Sequence, residues 1–232
     1  MKAIIIGASS GIGRELAKIL SKNNCSVGLA ARNIEKLVEL QKELPGYSYV
    51  RAIDVTHNSD AREKLHELID ELGGLDLIVI GSGVGYTSPI PDSWECDKKA
   101  VEVNVCGFMV IADEALKYFI KQGFGHIVGV SSVINERRNG TAPAFNASKV
   151  FVANYLEGIR QKVNSIGAKI FVTDIRPGLV NNDEVVKKDG LFLGIPPEKA
   201  ASQVYKAIVK KKKYVYITKR WSFLSWMLRL FS

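Results

Sequence analysis

The stretch that most limits what this chain can fold into is its first. Ala3-Ile4-Ile5-Ile6 is a short, continuously apolar run, as expected of a strand buried on both faces of a parallel sheet. Gly7-Ala8-Ser9-Ser10-Gly11-Ile12-Gly13 follows, and Arg14-Glu15-Leu16-Ala17-Lys18-Ile19-Leu20 then has helical periodicity. Strand, glycine loop and helix start come in the order a phosphate site requires. Glycine lets the backbone approach a pyrophosphate closely, and a helix N-terminus offers unpaired N–H donors and the positive end of a dipole. Gly7, Ser9, Ser10, Gly11, Ile12 and Gly13 are therefore candidate cofactor-binding residues. A plain tight turn is the alternative reading of the glycines.

The segments that follow repeat the theme. Ser26 to Ala31 reads as the second strand, with Arg32-Asn33 at its end. An acidic residue there would grip a ribose 2′-hydroxyl, whereas neutral Ala31 followed by Arg32 suits a 2′-phosphate. NADP(H) is thus expected over NAD(H), with Ser9 and Asn33 as small polar helpers; a solvated Arg32 is the alternative. Ile34–Leu44 reads as a helix, and Tyr49–Ile53 as a third strand that delivers Asp54 and Val55, candidates for the edge and face of an adenine. A helix is expected over Asp60–Leu72, with His66 on its surface. Asp76–Ile80 is a fourth strand, ending in Gly81-Ser82-Gly83-Val84-Gly85, a loop small enough for a flat ring or sugar to lie against its backbone.

The second half carries reactive side chains. A helix is expected from about Ala100 to Gln122, with Asn104 inside an apolar segment; a buried asparagine needs partners, so it either staples backbone or holds a water. His126–Val130 reads as a strand delivering Ser131 and Ser132. Phe145 to Lys149 looks like the first turn of a helix running to about Ile166. Residues four apart share a helical face, so Phe145 and Lys149 point the same way. A tyrosine at 145 would put a phenol beside an ammonium, a good acid/base pair near neutral pH. Phenylalanine has no proton to give. Ala168–Asp174 is a sixth strand, with Arg176-Pro177-Gly178 closing it and Val180 shortly after.

Composition sets outer bounds. A chain of 232 residues, 47% apolar, suits one large domain. No signal segment and no membrane span is expected, since no apolar run reaches about 18 residues. Cys25, Cys96 and Cys106 are an odd number at spacings that suit neither a disulfide framework nor zinc, so no metal and a reduced, cytoplasmic compartment are expected. The net charge of +8 is partly local, with Lys210 to Lys213, Lys219 and Arg220 crowding the C-terminal end. A solvated face is the simple reading of that run, and attraction to nucleic acid or an anionic membrane the sharper one.

Taken together, the motifs resemble the short-chain dehydrogenase/reductase family over nearly its full length. The glycine loop matches the family's cofactor turn, with Ile6 where a threonine is usual. Asp54-Val55 matches its adenine pair, Asn104 its catalytic asparagine, Ser132 its catalytic serine, Lys149 its catalytic lysine and Pro177-Gly178 the segment flanking the nicotinamide. The resemblance implies an α/β fold of Rossmann type: a doubly wound parallel sheet of about seven strands between two helix layers, Tyr214–Thr218 being the seventh. That single domain would span residues 1–220, with an apolar and helical tail over 221–232.

The resemblance further implies that Ser132 polarises a carbonyl, that Lys149 binds the nicotinamide ribose, and that Asn104 holds the water of a proton relay. Gly81, Ser82, Gly83, Lys149, Pro177, Gly178 and Val180 join the expected cofactor contacts. Three departures stand out. The family's Asn-Asn-Ala-Gly loop is Ile80-Gly81-Ser82-Gly83, a threonine past Pro177-Gly178 is Asn182, and the catalytic tyrosine is Phe145. Three readings follow: an NADP(H)-dependent reductase whose proton comes from Ser132, from water on Asn104 and Lys149, or from Tyr86; a cofactor-binding sensor or scaffold; or an ordinary member whose tyrosine has been replaced in this chain.

The substrate is expected to be a hydrophobic carbonyl compound or the matching alcohol, lying under residues 181–196 with Trp94 on the opposite lip. A dimer or tetramer is the family default, and no nucleic-acid partner is expected. The segment Trp221-Ser222-Phe223-Leu224-Ser225-Trp226-Met227-Leu228-Arg229-Leu230-Phe231 suits peripheral contact with a membrane surface, or packing against the protein itself.

Overall fold

The computed structural model describes residues 1–85, 94–133, 142–178, 180 and 194–217. Seven strands, β1 (Lys2–Ile6), β2 (Ser26–Ala31), β3 (Ser48–Ala52), β4 (Leu77–Ile80), β5 (Phe124–Val130), β6 (Lys169–Pro177) and β7 (Tyr214–Ile217), form one sheet in the order 3-2-1-4-5-6-7. Every neighbouring pair is parallel. Alternate residues of each strand serve different cores. Ile4, Ile6, Ile78 and Ile80 pack with α3 (Asn58–Leu72), α5 (Phe108–Gln122) and α6 (Pro143–Ser165) on one face. Ala3, Ile5, Leu77 and Val79 pack with α1 (Gly11–Lys22), α2 (Ile34–Glu43) and α7 (Pro197–Val209) on the other. Both faces being covered explains why these strands are apolar throughout rather than alternating.

The helices begin and end where their residues dictate. Asn33 caps α2, its Oδ1 accepting from Lys36 N at 2.9 Å. Gly73 and Gly123 close α3 and α5 in the left-handed region, φ 73° and 87°. Pro143 and Pro197 open α6 and α7, where a missing N–H costs nothing. The sheet reverses direction between β1 and β4, and ligands of open parallel sheets bind outside the strand ends at such a point.

Two expectations are corrected. The helix expected over Ala100–Gln122 is interrupted: α4 (Trp94–Val101) passes through a π-helical turn, Glu102–Gly107, before α5 begins. A wider turn of this kind, frequent at functional sites, carries Asn104 inward. At its end a Cβ on Gly107 would come within 2.4 Å of Val55 Cγ2, so the turn lies hard against the end of β3. The sixth strand also runs beyond Asp174 to Pro177, because β7 pairs with it through Arg176 and Pro177. Thr218 and residues 221–232 lie outside the described residues. Among the described residues, no helix is long and apolar enough to cross a membrane.

The core contains one group that ties stability to pH. His126 of β5 is buried, with Nε2 2.8 Å from Thr173 Oγ1, which itself donates to Lys212 O at 2.6 Å. Burial pushes the imidazole down to about 4, with the charge of Lys211 acting the same way. The unfolded imidazole takes up a proton below about 6.5, while the buried one stays neutral until about 4. Stability is therefore full above pH 6.5 and declines below it, by roughly 2 kcal/mol between pH 7 and 5. Denaturant unfolding at the two pH values should show this loss, and His126→Gln should flatten it. An equal slope in both proteins would remove His126 as the cause.

Candidate active site

The nucleotide end is built from the ends of four strands, β1 to β4. Gly7 has φ +92°, and a Cβ there would lie 2.8 Å from Ser82 N and 2.9 Å from the Gly81 carbonyl carbon. A Cβ on Gly13 would lie 2.3 Å from Gly7 O. Both positions therefore require glycine, since the first loop folds onto itself and onto the loop after β4. Gly7 N and Ala8 N both donate to Ala30 O, at 2.7 and 3.1 Å, tying the loop to β2. Ser10 precedes α1 without a side-chain cap bond, and the first N–H groups of any helix have no partner inside it. Ser9, Ser10, Gly11, Ile12 and Gly13 thus surround an anion-accepting helix end.

Arg32 and Asn33 emerge exposed at the end of β2, beside Asp54 at the end of β3. The Asp54 carboxylate accepts from Thr56 N at 3.0 Å and Thr56 Oγ1 at 2.7 Å. Burial disfavours its charge, yet the two Thr56 donors and the nearby Arg32 hold the carboxyl below its usual range. The Asn33 carbonyl oxygen is committed to capping α2, and the Val55 side chain is buried against Gly107. At the end of β4, Gly81 N donates to Ile6 O at 2.9 Å. The Ser82 hydroxyl is buried with no hydrogen-bond partner among the described residues. A buried orphan hydroxyl beside a backbone cradle and a helix N-terminus fits a group with sugar and phosphate oxygens.

The reactive end lies just beyond. Asn104 is 1% exposed and fully engaged as a donor: Nδ2 donates to Val84 O at 2.9 Å and to Ser148 Oγ at 3.0 Å. Its Oδ1 accepts from Val84 N at 2.8 Å, which leaves one lone pair for another donor. Asn104 is thus a staple on the loop after β4. Ser148 Oγ extends the chain of bonds by donating to Phe145 O at 2.7 Å.

Lys149 is buried, and its Nζ donates to Val130 O at 3.0 Å. Desolvation lowers the ammonium to about 8, against the opposing pull of Asp174. Nζ also lies 5.8 Å from the centroid of the half-buried Phe145 ring. A Cβ on Gly83 would lie 3.1 Å from Lys149 Nζ and 3.3 Å from Asn104 Oδ1. One on Gly85 would lie 3.2 Å from Phe145 Cε2. Glycine at these two positions lets the loop pass directly over Lys149, Asn104 and Phe145.

Ser131 and Ser132 follow β5 directly, one residue beyond the carbonyl that Lys149 holds. Pro177 ends β6, with Gly178 half-buried after it, and Val180 forms a single parallel bridge with Ile195. Trp94 opens α4 and is 72% exposed. Tyr86, Asn182 and most of the segment 181–196 lie outside the described residues. No cluster of metal ligands occurs among the described residues.

Sequence reasoning passed over Asp174 and Ser148. Asp174 is buried, accepting from Ser131 Oγ and, at 2.7 Å, from Arg176 Nε. The available signal was a carboxylate in a central strand next to the apolar run Ile170-Phe171-Val172, a residue type rarely buried without a partner.

A family model described as short chain dehydrogenase matches residues 1–190. The chain is 32% identical over 183 residues to an uncharacterized oxidoreductase of Staphylococcus epidermidis, covering 77% of each. It is 33% identical over 185 residues to an uncharacterized oxidoreductase of Myxococcus xanthus, covering 78% of this chain and 72% of that one. A short-chain type dehydrogenase/reductase from Mycobacterium marinum superposes with a TM-score of 0.86 at 22% identity, over 95% of this chain and 94% of that one.

Proposed function

The chain belongs to the short-chain dehydrogenase/reductase family, and we propose that it is an NADP(H)-dependent oxidoreductase acting on a hydrophobic carbonyl compound or the matching alcohol, with proton donation rerouted because position 145 is phenylalanine. The observation that carries this reading is that Asn104 Oδ1 and Lys149 Nζ both lie against Gly83, where a Cβ would come within 3.3 and 3.1 Å of them.

When bound, the nicotinamide dinucleotide supplies the hydride equivalent. The first loop and the start of α1 bind its diphosphate through backbone N–H groups. Arg32 pairs with the 2′-phosphate and Asp54 holds the adenine edge. The Ser82 hydroxyl gains a partner in the cofactor. The Lys149 ammonium holds the nicotinamide ribose while keeping its bond to Val130 O. Ser132 donates a hydrogen bond to the substrate carbonyl and stabilises the charge that develops on its oxygen. The remaining Oδ1 lone pair of Asn104 and the Lys149 ammonium, both beside Gly83, hold a water that delivers the proton a phenol would otherwise give and takes its replacement from the ammonium, which solvent then reprotonates.

Cofactor preference has its own test. Charge-assisted pairs contribute about 1.5–3 kcal/mol, so Arg32→Ala should weaken NADPH binding by roughly ten- to a hundredfold. NADH binding should change by less than about twofold, since NADH has no phosphate for Arg32 to hold. Fluorescence titration with both nucleotides reads the two affinities. Equal loss for both would show that Arg32 does not select the 2′-phosphate.

A further inference from the structure

Asp174 is the only acidic side chain buried among the described residues, and the chemistry above does not use it. An ionised carboxylate out of water is costly unless it is paired, so its partners indicate its role. Asp174 lies opposite Gly129 in the β5–β6 ladder. Its carboxylate accepts from Ser131 Oγ and from Arg176 Nε, and Arg176 Nη1 is bonded to the Tyr216 hydroxyl at 3.0 Å. Ser131 N donates to Ile175 O at 2.8 Å, while Lys149 Nζ holds Val130 O at 3.0 Å. The chain at 130–131 is therefore gripped from β6 by Asp174 and from α6 by Lys149, and Ser132 is the next residue.

We infer that Asp174 is a positioning residue for the reactive pair, holding Ser132 in place through Ser131 and setting a negative charge on the residue next to the carbonyl that Lys149 holds. Among the described residues, the groups facing Lys149 come from three elements. Its own helix presents the Phe145 ring, β5 the Val130 carbonyl, and the π-helical turn Asn104 Oδ1 across Gly83. The charge on β6 is that of Asp174, which works against desolvation of the ammonium. Arg176 Nε shares the carboxylate at 2.7 Å. This role rests on the proposed function, because it matters only if Ser132 and Lys149 act on substrate and cofactor.

The test uses Asp174→Asn, which keeps the shape and removes the charge, and Ser131→Ala, which removes the bond and keeps the charge. The full chain is labelled with 13C at lysine Cε, and the Lys149 signal is assigned by its loss in Lys149→Met. In Asp174→Asn the Lys149 titration midpoint should fall by about one pH unit or more. In Ser131→Ala it should stay within about 0.3 while turnover drops roughly tenfold. An unmoved Lys149 midpoint in folded Asp174→Asn overturns the inference. If Asp174→Asn does not fold alone, Lys149→Met/Asp174→Asn decides: the aspartate matters less once the ammonium is gone, so the double variant should fold, and a double variant that fails to fold while Lys149→Met folds overturns the coupling. The lysine titration needs no cofactor. Failure of the parent chain to bind NADPH would therefore sink the proposed function while leaving this result to stand separately.

Discussion

Phe145→Tyr is expected to raise NADPH-dependent carbonyl reduction by about a hundred- to ten-thousand-fold, the range a positioned general acid contributes. NADPH affinity should stay within about threefold, because the change adds one hydroxyl to a half-buried ring away from the phosphate end. The site is prepared for a phenol. Lys149 lies one helical turn later, its Nζ 5.8 Å from the ring centroid, and a neighbouring ammonium stabilises phenolate and lowers the phenol pKa. Ser148 Oγ and Asn104 already fix the first turn of α6 to the loop after β4. Steady-state assays of both proteins with hydrophobic aldehydes and ketones give the comparison. Equal activity would mean that position 145 does not limit proton transfer. Binding without any turnover until the tyrosine is installed would replace the rerouted-proton reading with that of a cofactor-binding sensor or scaffold.

Lys149→Met should lower kcat/KM by at least about a hundredfold, since it removes both a positioned cation and one of the two groups bracketing the proposed water. NADPH affinity should fall by roughly tenfold, as expected for one charge-assisted bond to the ribose. The fold should survive. Losing the bond to Val130 O leaves a carbonyl unpaired, at about 1–3 kcal/mol, but a buried charge is removed at the same time. The parent should also lose activity as pH rises through about 8, where the buried ammonium gives up its proton. That alkaline limb should be absent from the residual activity of Lys149→Met. A variant retaining parental kcat/KM and the same alkaline limb would remove Lys149 from the mechanism.

The nucleotide half of the molecule was readable because its signals are local. A continuous apolar run, a glycine turn and a periodic helix lie adjacent in Ala3 to Leu20, and the first six strands are readable from their own residues, whereas the seventh came only with the family resemblance. Chain order alone could not say which glycines are irreplaceable. Gly7 and Gly13 are, because Ser82 N and Gly7 O occupy the space beside them.

The reactive half was legible as residues but not as bonds. Helical periodicity cannot distinguish a π-helical turn from regular helix, so the break at Glu102–Gly107 was hidden. That Asn104 staples the loop after β4 is decided by Val84 and Ser148, at sequence distances of 20 and 44. The end of β6 was set by pairing with β7, and the meaning of Asp174 by Ser131 and Lys149. In each case a partner far along the chain decides what the local pattern leaves open.

The most direct measurement is calorimetric titration of the parent chain, Phe145 in place, with NADPH and then with NADH. The expected result is saturable binding of one NADPH per chain, micromolar or tighter and at least about tenfold stronger than NADH. Saturable binding of neither nucleotide, up to millimolar concentration, would contradict the assignment of the glycine loop, Arg32 and Ser82 to an NADP(H) site.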